Sequence, residues 1–170
     1  MKLLKLDNLC LIRIKYTLVG FYGRLPGCRA PDLVANPELL DRKLELCKQL
    51  IFVLDKIENG ISSSKGVIYY EMHMPIFLKA QLNLNCGLLD ANLAGKEFEK
   101  SIDCIKKSME HLQYNSKGRK IAKAIIILTQ ILLSHNEKNI GISLHIDRYS
   151  LLYRQIMSFT SNFFYETLFS

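Results

Sequence analysis

A proline set well inside an apolar, helix-forming run limits what this chain can fold into more than any other feature does. The run Asn59-Gly60-Ile61-Ser62-Ser63-Ser64-Lys65-Gly66-Val67-Ile68-Tyr69-Tyr70-Glu71-Met72-His73-Met74-Pro75 holds, in order, a helix stop, a serine turn, the start of a strongly apolar helix and the proline. Gly60 supplies a left-handed stop to the preceding helix, and any of Ser62, Ser63 and Ser64 can cap the next one. That helix is expected to run to Asn85 or Cys86, before Gly87. Pro75 has no N–H for the Glu71 carbonyl, a defect that costs ~3 kcal/mol in a helix interior, so packing must compensate on both sides. A kink or break near Met72 to Pro75 is therefore expected. Beyond it, Ile76, Leu78, Ala80, Leu82 and Leu84 are too evenly apolar for an exposed surface, which predicts a helix enclosed by neighbours.

The flanking chain reads as helical too. Residues 9 to 23 place Leu11, Ile14, Leu18 and Phe21 or Tyr22 at three- and four-residue steps, and Gly23 with Pro26-Gly27 ends that helix. Cys28 to Ala35 has no period and is expected to be a loop. The next helix opens with Asn36 as N-cap, Pro37 at its first position and Glu38 where the helix dipole favours an acid. Its stripe of Leu40, Leu44, Cys47, Ile51 and Leu54 is widened by Leu39, Leu46, Leu50, Val53 and Ile57, so it must touch more than one neighbour. A loop from Leu88 to Gly95 leads to an amphipathic helix with Phe98, Ile102, Ile105, Met109 and Leu112 on one face. The other face sets Asp103 to attract Lys107 and to repel Glu99. A fifth helix is expected over Arg119 to His135, apolar almost all round, and one more, about Asp147 to Ser158, in a tail of different composition.

Long helices joined by short turns define the expected architecture: all-α, an antiparallel helical hairpin array of about five main helices, tetratricopeptide-like. Residues 1–135 form the module and 136–170 a divergent tail. At 170 residues the chain suffices for one domain with a sizeable core. Its longest apolar segment, Ile121 to Leu133, is too short to span a bilayer. Arg13 and Lys15 interrupt the apolar run that a secretory signal needs. The five cysteines, at 10, 28, 47, 86 and 104, fit neither a zinc ribbon nor a disulfide framework. Cys47 and Cys104 fall on apolar faces, as buried thiols of an intracellular protein, cytoplasmic or nuclear, would.

The net charge of +7 is uneven. Lys106, Lys107, Lys117, Arg119, Lys120 and Lys123 form a candidate basic patch for RNA, anionic lipid or an acidic partner. Without a nucleic-acid motif the solvated-face reading is preferred, and nucleic acid is disfavoured as a partner. His73 with Glu71 and Tyr69 or Tyr70 is the one local cluster resembling a site. Glu71 and His73, two apart on a helix, diverge by about 200° and do not make a metal pair. A structural role is preferred for His73, and Glu71 is expected to anchor a turn or a basic side chain rather than act as a general acid. No Walker loop, Gly-x-Gly-x-x-Gly or His-Glu-x-x-His motif occurs. No catalytic, cofactor-binding or metal-ligating residue is assigned.

The Asn59 to Pro75 run resembles the C-terminal helical region of the SET and MYND domain-containing protein lysine methyltransferases, especially the arthropod branch. There a Pro-Gly turn, a Ser-Arg-x-Arg-Gly stretch and a Tyr-Glu-Leu-His-x-Pro helix follow one another. Gly60, Ser62, Gly66, Tyr70, Glu71, His73 and Pro75 agree with that pattern, while Asn59, Ser63, Lys65 and Met72 depart from it. Lys15-Tyr16 to Gly23-Arg24 and Asp41 to Cys47 also look like the family, so the resemblance covers about residues 9–133. It implies a tetratricopeptide-like module that packs beside a SET domain and narrows the substrate cleft. Intact members use S-adenosylmethionine and hold zinc in parts that have no counterpart here, so neither is expected on this chain, and no catalytic residue carries over. The resemblance implies a non-catalytic module whose partner is a SET domain or another protein. The alternatives are a small helical enzyme with a site assembled around Glu71 and His73, and a basic binding module. Ends that do not resemble the family suggest a truncated or misread gene product; if the chain is complete, its apolar surface predicts self-association.

Overall fold

In a computed structural model of the chain, residues 8–22 and 36–114 are described. The loop expected at 28–35, the helices expected at 119–135 and 147–158, and the expected division at 135 all lie outside them. The described residues form α-helices and no strand: α1 Leu9–Phe21, α2 Pro37–Ile57, α3 Ser63–Asn85 and α4 Ala91–Leu112. The fold of the described chain is thus all-α. Described residues up to His111 belong to one compact unit, and Leu112 to Tyr114 to a second.

Successive helices run antiparallel, as their side-chain bonds show. Between α2 and α3, Asp41 meets Lys79 and Asp55 meets Lys65, so low numbers on one face high numbers on the other. Between α1 and α2, Lys15 Nζ donates to Gln49 Oε1 at 2.7 Å and Lys43 Nζ to the Tyr22 carbonyl at 3.0 Å. Between α3 and α4, Tyr69 stacks on His111 and Phe77 tilts against Phe98.

The core joins α1, α2 and α3: Ile12 and Val19, then Cys47, Leu50, Val53 and Leu54, then Ile68, with Tyr16, Leu46, Ile51 and Met72 packed around them. Each fully buried leucine in such a core contributes about 1.5–3 kcal/mol relative to an exposed one. The inward face of α1 is therefore Ile12, Tyr16 and Val19, not the expected Leu11, Ile14 and Leu18, of which Ile14 and Leu18 are exposed. Both sets have helical spacing, and α1 is apolar on two sides, so periodicity did not decide between them.

The caps explain where the helices start and stop. Asn8 caps α1, its side chain accepting from the Cys10 amide. Asn36 is at the N-cap of α2 with Pro37 behind it, but the expected side-chain cap is not made; the Asn36 carbonyl takes the Leu39 amide instead. At the end of α2, Glu58 is the C-cap and Gly60 adopts φ 79°, which an L side chain resists. Ser62 caps α3, its hydroxyl accepting from the Lys65 amide at 3.3 Å. Gly87, φ 69°, follows the other end.

Two expectations about α3 and α4 need correction. Helix α3 is continuous through Pro75, so of the expected kink or break the break does not occur. The proline ring is itself fully buried, and no residue from Glu71 to Leu84 is fully exposed, which supplies the packing that offsets the lost backbone bond. Helix α4 starts at Ala91, not after Gly95, because Asp90 caps it: Asp90 Oδ1 accepts from the Leu93 amide at 2.7 Å. The stretch from Ala91 to Gly95 is thus helical rather than loop. The most buried positions of α4 in the first unit are the small ones, Ala94, Ser101, Cys104 and Ser108, with Phe98, Ile102, Ile105 and Met109 half-buried beside them. Asp103 pairs with Lys106 at 3.7 Å, and Lys107 lies instead over the Tyr69 ring, 5.5 Å from its centre.

Candidate functional site: a buried polar junction beside Pro75

One turn before the proline, four helices are tied together by polar side chains. Lys43 is the centre. It lies on the stripe Leu40, Lys43, Cys47, Leu50 and Leu54 of α2 and is wholly buried. Its Nζ donates to Glu71 Oε2 on α3 at 2.7 Å and to the carbonyl of Tyr22, the C-cap of α1, at 3.0 Å. A carbonyl at a helix end has no intrahelical donor, so Lys43 satisfies a group that α1 itself cannot. On the same stretch of α3, His73 is buried with its Nδ1 against the Tyr70 carbonyl, and its ring tilts on Tyr70 at 4.8 Å. A carbonyl only accepts, so Nδ1 carries a proton. Finally Ser101 Oγ on α4 donates to the His73 carbonyl at 3.0 Å.

The electrostatics follow from burial. His73 is pushed down to about 4, chiefly because burial disfavours the imidazolium, with Lys43 adding to the effect and the Tyr70 carbonyl and Glu71 opposing it. The phenol of Tyr16 on α1 is pushed up, first by burial and then by the charges of Glu71 and Glu58. Burial also raises Cys47, four residues from Lys43, to about 12. These groups are held in their neutral forms around the Lys43–Glu71 ion pair. The arrangement ties helices to one another.

Of the motif residues, the structure brings Tyr70, Glu71, His73 and Pro75 together on the buried length of α3, and Gly66 is buried near its start. Gly60 and Ser62 belong to the turn before it. Glu71 meets a basic side chain, Lys43. Of the candidate basic patch, Lys106 and Lys107 are exposed and engaged as described, whereas Lys117, Arg119, Lys120 and Lys123 lie outside the described residues. Among the described residues no three His, Cys, Asp or Glu side chains are grouped to hold a metal ion, and no helix is long and apolar enough to cross a membrane.

Sequence reasoning missed Lys43 and Ser101, although a signal existed for the lysine: it occupies an i, i+4 position on an otherwise apolar face. It also missed Lys65, which is buried and bound to Asp55 at 2.9 Å across the α2–α3 turn.

The cysteines divide by burial: Cys47 and Cys104 are buried, Cys10 and Cys86 exposed, and all four are free thiols. Alkylation of the folded chain at about pH 8 is expected to modify Cys10 and Cys86 and to spare Cys47 and Cys104 until denaturant is added. Peptide mass spectrometry reads the pattern, and Cys47 reacting as fast as Cys86 would contradict it.

The class this arrangement defines is an all-α helical protein whose interior is pinned by a lysine–glutamate pair. Comparison of the chain with protein-family models, with curated proteins and with solved structures found no match in any of the three.

Proposed function

We propose that this chain is a non-catalytic, tetratricopeptide-like helical module that works by contact with another protein. Following its resemblance to the C-terminal region of the SET and MYND domain-containing lysine methyltransferases, that partner is a SET domain whose substrate cleft the module shapes. The observation that carries the reading is the fate of the motif's polar residues. Glu71 and His73 are each 4% exposed and bonded to Lys43 and to Tyr70. They are spent on holding α3 in place, so the surface of the helices is left as the means of action. The same burial argues against an enzyme centred on Glu71 and His73, because a substrate reaches neither without opening the helices. The buried thiols Cys47 and Cys104 suit a reducing, intracellular compartment. Helices that run antiparallel in succession support the helical-hairpin architecture.

The test has two arms. The full chain is mixed with the SET and MYND portion of a relative, itself verified to bind S-adenosylmethionine, and analysed by sedimentation; a stable complex is expected. The chain alone is titrated calorimetrically with S-adenosylmethionine, and no heat of binding is expected. Affinity of the isolated chain for the methyl donor overturns the non-catalytic reading, and failure to form the complex overturns the SET partner.

A further inference from the structure

His111, in the last turn of α4, is bonded to a different element from the rest of that helix. Its Nδ1 lies 3.1 Å from the backbone nitrogen of Ser62. An amide N–H only donates, so Nδ1 accepts and the ring proton is on Nε2. Ser62 is the N-cap of α3, and its hydroxyl also bonds the Glu58 carboxylate at the end of α2 and accepts from the Lys65 amide. One residue thus gathers the end of α2, the start of α3 and the end of α4. The imidazole further stacks on Tyr69 of α3, with centroids 5.6 Å apart and planes 14° from parallel.

We propose that His111 is a pH-operated clasp: neutral, it holds the last turn of α4 on the α2–α3 turn, and protonated, it lets go. The chemistry of the bond dictates the sign. Protonation puts a hydrogen on Nδ1, which then faces the Ser62 N–H with no acceptor between them. The positive end of the α3 dipole opposes a cation at the same place. The charged neighbours come from three helices. Lys65 on α3 and Lys107 on α4 disfavour the imidazolium, while Asp55 and Glu58 of α2 and Glu110 on α4 favour it. Asp55 is bound to Lys65 and Glu58 to Ser62, which blunts their pull. The net effect lowers His111 below its ordinary value, burial first and Lys65 second, against Glu110 and Asp55. A released His111 titrates near its ordinary value of about 6.5. The open form therefore binds the proton more tightly, and acid below about pH 6.5 favours opening.

The test follows the ¹⁵N-labelled full chain by NMR from about pH 8 to about pH 5, a range centred on the ordinary histidine value. At the upper end, long-range ¹H–¹⁵N spectra are expected to report the Nε2–H tautomer for His111. On acidification the Ser62 amide proton moves with the same midpoint as the His111 ring, and its protection from exchange, corrected for the intrinsic rate, falls roughly fivefold, the effect of losing one ordinary hydrogen bond. The variant His111→Gln keeps an acceptor but cannot titrate, so its Ser62 protection is expected not to change with pH. An Nδ1–H tautomer at the upper pH, or a Ser62 amide that stays put while His111 titrates, overturns the proposal in the unmodified chain alone. Acid loss of protection that persists in His111→Gln overturns it as well.

Discussion

Glu71→Leu is expected to destabilise the fold by about 3–5 kcal/mol, measured by urea unfolding, because it strands a wholly buried ammonium. Lys43 then keeps only the Tyr22 carbonyl, and no water replaces the carboxylate at a site that is 0% exposed. A loss of that size is about a fifth or more of the roughly 5–15 kcal/mol that holds a domain together. Lys43→Met should cost a comparable amount, since it takes the Lys43 ammonium away from a buried carboxylate.

The decisive measurement is the double variant. Joining Lys43→Met to Glu71→Leu removes both charges and fills the space with apolar atoms, a change that is often close to neutral for buried pairs. The Tyr22 carbonyl at the end of α1 also loses its donor, which costs about 1 kcal/mol. The double variant is therefore expected within about 1–2 kcal/mol of the parent and well above either single. Should the double variant be as unstable as the sum of the singles, the pair is not coupled, and the junction does not hold the helices as described. Glu71→Leu within about 0.5 kcal/mol of the parent would have the same meaning, since that is the scale of an ordinary surface substitution.

The pair also shows what sequence patterns disclose. Helix α3 was legible almost to the residue, because its signals are local: a serine cap at one end, glycine beyond the other, an apolar run between. Helix α2 was legible for the same reason, from Pro37 to the Gly60 turn. What failed was any question that needed a neighbour. On α1 two apolar faces competed, and only the position of α2 selects Ile12 and Val19. On α4 the large apolar residues define the face that periodicity points inward, whereas the most buried positions are Ala94, Ser101 and Ser108, which are small. Periodicity reports which residues are apolar; it does not report how near two helices come.

The polar junction was half legible. Glu71 and His73 stand out in an apolar helix beside a proline, and a structural role is the reading their spacing favours for the histidine. Their partners were hidden, because Lys43 is 28 residues away and sits beside Arg42, where a lysine reads as one more surface charge. Ser101, also 28 residues from His73, had no distinguishing pattern at all.

The histidine of that junction sets how the fold responds to acid. His73 is neutral in the folded chain down to about 4, whereas in the unfolded chain it titrates near about 6.5. Between those values unfolding takes up a proton. Stability is therefore complete above about pH 6.5 and is lost as pH falls toward 4, by about 3 kcal/mol over the window, with no further loss from this group below it. The comparison that isolates the effect is urea unfolding of the parent and of His73→Leu at about pH 7 and about pH 4. Near neutrality the variant should be the weaker by about 1 kcal/mol, having lost the Nδ1–H donor to Tyr70. At the acid end the order should reverse, because leucine has no proton to gain. The His111 clasp titrates in the same window, but it is present in both chains and cancels in the difference. A difference that stays constant across the range would mean that His73 is protonated as easily folded as unfolded, and that the junction is open to water. Such an open junction would return Glu71 and His73 to contention as an active pair, so the crossing of the two stability curves bears on function as much as on folding.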